Sequence, residues 1–132
     1  MSSTVQGPKG GLTPNTAIAG VALITKGTQL KRGADQNTLI PNSSNAIDTL
    51  AIAGDDQDTA GRTFIVYDQP GENVLVRAGA AFALDARLTS DGTGRAITAA
   101  TGNKSCLVAK EAATAVDQLV AAQIIGIGAI AP

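Results

Sequence analysis

From Ile18 to the C-terminus, short apolar runs alternate with clusters of glycine, proline, asparagine, aspartate and serine, the spacing that predicts an all-β barrel or sandwich. The runs cover residues 20–25, 29–31, 38–40, 49–53, 62–67, 73–77, 87–89, 95–98, 106–109, 119–125 and 127–130. Each intervening cluster carries a reason to turn. In Gln69-Pro70-Gly71-Glu72 the proline presets φ at the second position and the glycine accepts positive φ at the third. In Ser90-Asp91-Gly92 the Asp-Gly pair favours a tight hairpin.

Two features modify this pattern. Residues 107–122, LVAKEAATAVDQLVAA, are rich in helix formers, and propensity alone selects a helix there. An internal comparison selects strands instead. Ile24-x-x-Gly27-x-x-Leu30 recurs as Val76-x-x-Gly79-x-x-Phe82, and Ala51-Ile52-Ala53-Gly54-Asp55 recurs as Leu107-Val108-Ala109-Lys110-Glu111. A two-fold repeat over 20–67 and 74–125 follows, with Glu111 to Asp117 as a turn or one helical turn between strands.

Residues 1–16, MSSTVQGPKGGLTPNT, have no apolar periodicity, while Pro8, Pro14 and three glycines disfavour both helix and central strand. The segment is expected to be an extended N-terminal arm, about 50 Å long if fully stretched. It is either an arm that docks on a partner or a tail with no docking role. Residues 17–132 then form a single compact domain.

Composition narrows the function. The 132 residues include no histidine and no tryptophan, and only Phe64, Tyr67 and Phe82 are aromatic. Acid–base catalysis near neutrality draws first on histidine and metal sites on His/Cys clusters, so the expectation is a protein that is not an enzyme and holds no cofactor or metal. A core of alanine and small aliphatics gains little burial per residue, which points to oligomerisation. Ten basic residues against eleven acidic ones, with no basic run, argue against nucleic acid or an anionic membrane as partner. The lone Cys106 suits a reducing compartment, and no signal-like or membrane-spanning stretch is read in the chain.

The remaining motifs read as structure. Asp55, Asp56 and Asp58 lack the ligand spacing of a calcium loop and are expected in a solvated turn, although an Asp56/Asp58 hydrolase dyad stays open as an alternative. The glycine pairs Gly92/Gly94 and Gly126/Gly128 complete no nucleotide-binding fingerprint. No serine has a Ser-x-x-Lys partner. Small residues in 123–132 suggest a strand packed closely on another backbone, with Ile124, Ile125, Ile127 and Ile130 as a subunit interface.

An arm followed by two rounds of apolar-x-x-Gly-x-x-apolar, turn, apolar-Ala-acidic and apolar strand resembles the small capsid cement or decoration proteins of tailed bacteriophages. Runs such as Val76-Arg-Ala-Gly-Ala, Asp91-Gly-Thr-Gly-Arg-Ala and Leu107-Val-Ala-Lys-Glu-Ala carry the likeness. The resemblance implies a β-barrel or β-tulip domain, a homotrimer, and a place on the outer surface of an icosahedral head after synthesis in the host bacterial cytoplasm. The implied partner is the major capsid (coat) protein, contacted through Val5, Gln6, Gly7, Pro8, Lys9 and Leu12 of the arm. Relatives often carry glycine where Lys110 and Asp117 stand, so the second round is expected to bend differently. A virion fibre or tail module that binds a host receptor is the alternative, since Gly/Ala/Thr-rich β chains build those too.

Overall fold

The computed structural model describes residues 15–34 and 38–132, and every regular element among them is a strand. In chain order these are β1 (Asn15–Ala19), β2 (Gln29–Arg32), β3 (Thr38–Pro41), β4 (Ala51–Ala53), β5 (Thr63–Tyr67), β6 (Asn73–Arg77), β7 (Arg87–Ser90), β8 (Ala96–Thr98), β9 (Leu107–Ala109) and β10 (Leu119–Ile124). The all-β class expected from the turn spacing is the observed one. Two of the eleven apolar runs are not strands: 20–25 makes a single bridge from Ile24 to Gln57, and 127–130 a single bridge from Ile130 to Lys104.

β1 is the strand that pattern reading misses. Its Asn15 and Thr16, placed in the arm by sequence, pair antiparallel with Val66 and Ile65. Ladder bonds come from backbone groups that any residue but proline supplies, so two polar residues carry no apolar signal yet extend a sheet. Residues 1–14 lie outside the described residues.

The helix-prone stretch 107–122 is β9, an irregular connection and β10. Along β10, Val120, Ala122 and Ile124 are buried while Leu119, Ala121 and Gln123 face outward, a period of two. Burying that face outweighs a helix preference that amounts to only tenths of a kcal/mol per residue.

Strands β1 to β5 close into a barrel in the order β1-β3-β2-β4-β5, and β6 to β10 form a sheet in the order β6-β10-β9-β7-β8. The second unit repeats the first strand for strand. β1 pairs with β5 as β6 does with β10, β2 joins β3 to β4 as β7 joins β8 to β9, and β4 pairs with β5 as β9 does with β10. The correspondence reaches single bonds. Ile65 N donates to Asp55 Oδ1 as Ala121 N donates to Glu111 Oε1, and the Ile24–Gln57 bridge recurs as Phe82–Ala113.

This fixes a register that differs in part from the sequence comparison. Ala51–Asp55 does match Leu107–Glu111, but Ile24 matches Phe82 rather than Val76, and Leu30 matches Leu88 rather than Phe82. Gly27 corresponds to Asp85: both have positive φ (87° and 68°), and both donate from N to the last residue of β4 or β9, Ala53 O or Ala109 O. The comparison aligned glycine with glycine, whereas the fold conserves a backbone conformation that aspartate also tolerates. The same holds at Asp117 (φ 66°), the counterpart of Gly61 (φ 86°), each bonded through N to Ala78 O or Ala19 O. At Asp117 the absent glycine therefore leaves the backbone conformation and its bond unchanged.

The two units differ at one place. In the first, β1 and β3 close the barrel as a parallel pair through Ile18–Thr38 and Ala19–Leu39. In the second, β6 and β8 touch only at the Ala78–Ala96 bridge. Residues 27–29 of the first repeat fill the gap: Arg77 N donates to Gly27 O (3.0 Å) and Gln29 N donates to Gly94 O (2.7 Å). The second barrel is thus completed by the first. Its core joins Leu88, Leu107, Val120, Ala122 and Ile124 to Ile52 of the first repeat, with Tyr67 packed alongside.

Candidate interaction surface

The seam between the repeats is held by a buried polar chain. Gln29 donates through Nε2 to Thr89 O (2.9 Å) and accepts at Oε1 from Thr49 Oγ1 (3.0 Å); Thr49 in turn accepts from Asn42 Nδ2 (3.0 Å), and Ser90 Oγ donates to Asn42 O (2.6 Å). Two of these bonds, Gln29 to Thr89 and Ser90 to Asn42, cross between the repeats, while Thr49 and Asn42 hold the Gln29 amide from within the first, so the network fixes one orientation of the repeats. Asn42-Ser43-Ser44, formally a glycosylation sequence, is part of it.

The β7–β8 connection lies beside this network. Sequence predicts a tight Asp-Gly hairpin, but the loop spans 91–95, closed by Asp91 N to Arg95 O (3.0 Å) with positive φ at Gly92 and Gly94. The Asp91 side chain builds it: Oδ1 accepts from Thr93 N, Thr93 Oγ1 and Arg95 N, and Oδ2 pairs with Arg95 Nε at 3.0 Å. Burial alone raises the Asp91 pKa, but the Thr93 bonds and Arg95 outweigh it and hold the carboxyl below its ordinary 3.8. A depressed folded pKa contributes stability that is present above the unfolded value and lost as pH falls through the folded one. Asp91→Asn is accordingly expected to cost about 1.5–3 kcal/mol in urea denaturation at pH 7, the range for hydrogen bonds to a charged group, and progressively less in acid.

Besides a groove between residues 43–45 of the first repeat and 90–92 of the second, two more open along the seam. One, of about 290 Å³, runs between Lys26, Gly54 and Tyr67 of the first repeat and Asn73, Leu75 and Ala121 of the second, and is mostly apolar. The other, of about 430 Å³, is lined by hydroxyl and charged residues, with Arg77 and Arg95 alongside Asp56 and Asp117. Arg95 is engaged by Asp91 and by Asp117 Oδ1 at 3.3 Å.

The sequence-derived contact residues fall in three places. Val5, Gln6, Gly7, Pro8, Lys9 and Leu12 lie outside the described residues. Ile124 is 1% exposed and packs in the second core, so it is not available to a subunit interface; the inward parity of β10 puts it there. Ile125, Ile127 and Ile130 are exposed, Ile130 to 54%. They sit on a C-terminal segment laid along 101–106 by backbone bonds: Ile125 N to Cys106 O, Ser105 N to Ala129 O, Ala131 N to Asn103 O and Gly102 N to Ala131 O.

Pattern reading missed other exposed apolar side chains, among them Leu23 (75% exposed, φ 63°), Leu84, Ile65 and Leu75. For the last two a signal existed. Phe64 and Val66, like Val74 and Val76, face the cores, so Ile65 and Leu75 between them are apolar residues on the outer face of their strands.

The carboxylates of the 55–58 turn each cap a different donor. Asp55 accepts from Ile65 N, Asp56 from Lys26 N and Asp58 from Thr59 Oγ1. Among the described residues no three ligating side chains converge. Cys106 is buried, and burial pushes its thiol up to about 12, which keeps it protonated and inert near neutrality.

No protein-family model matches the sequence, and no curated protein sequence matches it. Among solved structures the chain is similar to the N base of the head fiber gp8.5 of bacteriophage phi29, at 24% identity and a TM-score of 0.65, over 85% of this chain and 92% of that one. At this identity the likeness is one of fold.

Proposed function

We propose that this chain is a non-enzymatic structural protein of a tailed-phage virion, a cement or decoration protein that sits on the outside of the head and braces the coat subunits beneath it. The observation that carries the reading is the shared fold with a head fiber base over most of both chains. Exposed aliphatics on both repeats and on the C-terminal segment supply surface for coat and subunit contacts. Three copies would engage the shell through several weak sites at once, and such avidity exceeds a single contact by ~10²–10⁴. Because binding favours only the assembled shell, its free energy adds to shell stability.

A second reading follows from the similarity to a head fiber N base: the base of a fibre anchored on the head. Both readings require binding to the coat, and they differ in consequence. Purified chain is mixed with expanded heads that lack it, sedimented, and the heads are then heated. Co-sedimentation with a raised disruption temperature supports cement, and co-sedimentation without it supports a fibre base. If the full chain stays in the supernatant, both are wrong. Removal of residues 1–16 is expected to weaken binding, and light scattering is expected to report a trimer.

A further inference from the structure

We propose that Glu72 is a proton-operated latch at the junction of the two repeats: neutral, it closes the linker onto the end of β10, and ionised, it loosens that contact. The linker, 68–72, makes the turn that its Pro-Gly pair predicts, with Gly71 at φ 86° and Glu72 N donating to Gln69 O (3.1 Å). Its backbone then grips the end of β10 through both backbone groups of one residue, since Gly71 N donates to Ile124 O (2.6 Å) and Ile124 N donates to Glu72 O (2.9 Å). Ile124 is the last residue before the C-terminal segment, so this grip also anchors the exposed isoleucines.

The Glu72 side chain is 1% exposed. Oε1 accepts from Gln69 N at 3.2 Å, but Oε2 is buried with no hydrogen-bond partner. A neutral carboxyl leaves at most one uncharged polar group unpaired there, whereas a carboxylate leaves a bare charged oxygen, which costs far more and draws water in.

The groups around the latch do not relieve it. On the linker stands Asp68, another carboxylate, whose Oδ1 accepts from Asn15 of β1 and from Gln69. β10 presents Gln123, which donates to Gly71 O, and Ile124; β6 begins with Asn73; all are uncharged. Lys26 shares the apolar groove with Tyr67 and Asn73, and no ion pair joins it or any other described cation to Glu72. Burial first, and Asp68 in addition, raise the Glu72 pKa above its ordinary 4.5, with the Gln69 N–H opposing.

The direction of the pH effect follows. Between the ordinary value and the raised one the folded chain holds a proton that the unfolded chain has lost, so stability falls as pH rises through that window. Above it the ionised latch weakens the junction at every pH.

The experiment is an NMR titration of the Glu72 carboxyl, together with amide hydrogen exchange at Gly71 and Ile124, corrected for intrinsic rates, at one pH below and one pH above the midpoint so found. The wild-type chain is expected to lose protection several-fold at the higher pH, and Glu72→Gln to keep the acid level at both. Asp68→Asn, which leaves Glu72 in place, should shift its titration downward and shrink the loss. A Glu72 that titrates at or below 4.5, or a Glu72→Gln chain with the same pH-dependent loss as wild type, overturns the latch.

Discussion

Gly94→Ala is expected to destabilise the protein by roughly 2–5 kcal/mol, a large share of the 5–15 kcal/mol typical of a folded domain. Two costs add. At φ 89° an L side chain pays about 1–2 kcal/mol for the left-handed conformation. The new Cβ would also run into Thr28 Cγ2 and stand 2.8 Å from Gln29 O, in the place where residues 27–29 close the second barrel. Overpacking of that kind costs about 1–3 kcal/mol. Gly102→Ala separates the two, because its φ is 90° but nothing lies within 4 Å of its Cβ position. Urea midpoints should therefore place Gly102→Ala about 1–2 kcal/mol below wild type and Gly94→Ala well below that. Equal losses would mean that the seam contributes nothing at Gly94.

Leu107→Ala is expected to cost about 2–5 kcal/mol, because Leu107 is fully buried opposite Leu88 and its removal leaves a cavity. The first repeat shows how this loss can be refilled. There the counterpart of Leu107 is Ala51, opposite Leu30, while Phe64 stands where the second repeat has Val120. Large and small have been exchanged between two positions of the same core, which keeps the filled volume similar. Val120→Phe alone should overpack by about 1–3 kcal/mol, yet in the Leu107→Ala background it should recover stability, with a favourable interaction energy of about 0.5–3 kcal/mol in a double-mutant cycle. Simple additivity of the two losses would show that the repeats fill their cores independently of each other's solution.

Much of the local structure was legible. β6 coincides with the run read at 73–77, and the Gln69–Glu72 turn forms where Pro70 and Gly71 place it. What could not be read depends on partners distant in the chain. Asn15 and Thr16 become strand only because β5 offers them a ladder. The Asp91 loop is longer than an Asp-Gly hairpin because its carboxylate collects three donors and an arginine. The repeat register slipped over 24–30 because matching letters is a poor guide where aspartate takes a glycine's conformation, at Asp85 and Asp117.

The candidate surface divides in the same way. The exposure of Ile125, Ile127 and Ile130 agrees with a small-residue segment at the chain end, whereas the burial of Ile124 is set by its parity in β10. The seam grooves, the polar chain from Gln29 to Ser90 and the orphaned Glu72 oxygen have no signature in order or composition.

By itself, the sequence determined that this protein is built of short strands, because alternation and turn residues act within a few positions of themselves. It also determined that histidine and clustered cysteine chemistry are missing, because that is a matter of which atoms are present. The tertiary structure alone decided that the second barrel stays open between β6 and β8 and is closed by residues 27–29, and that one carboxyl is buried at the junction. Those outcomes depend on which backbone groups, tens of residues apart, come within hydrogen-bonding distance, and that distance is fixed only when both cores are packed.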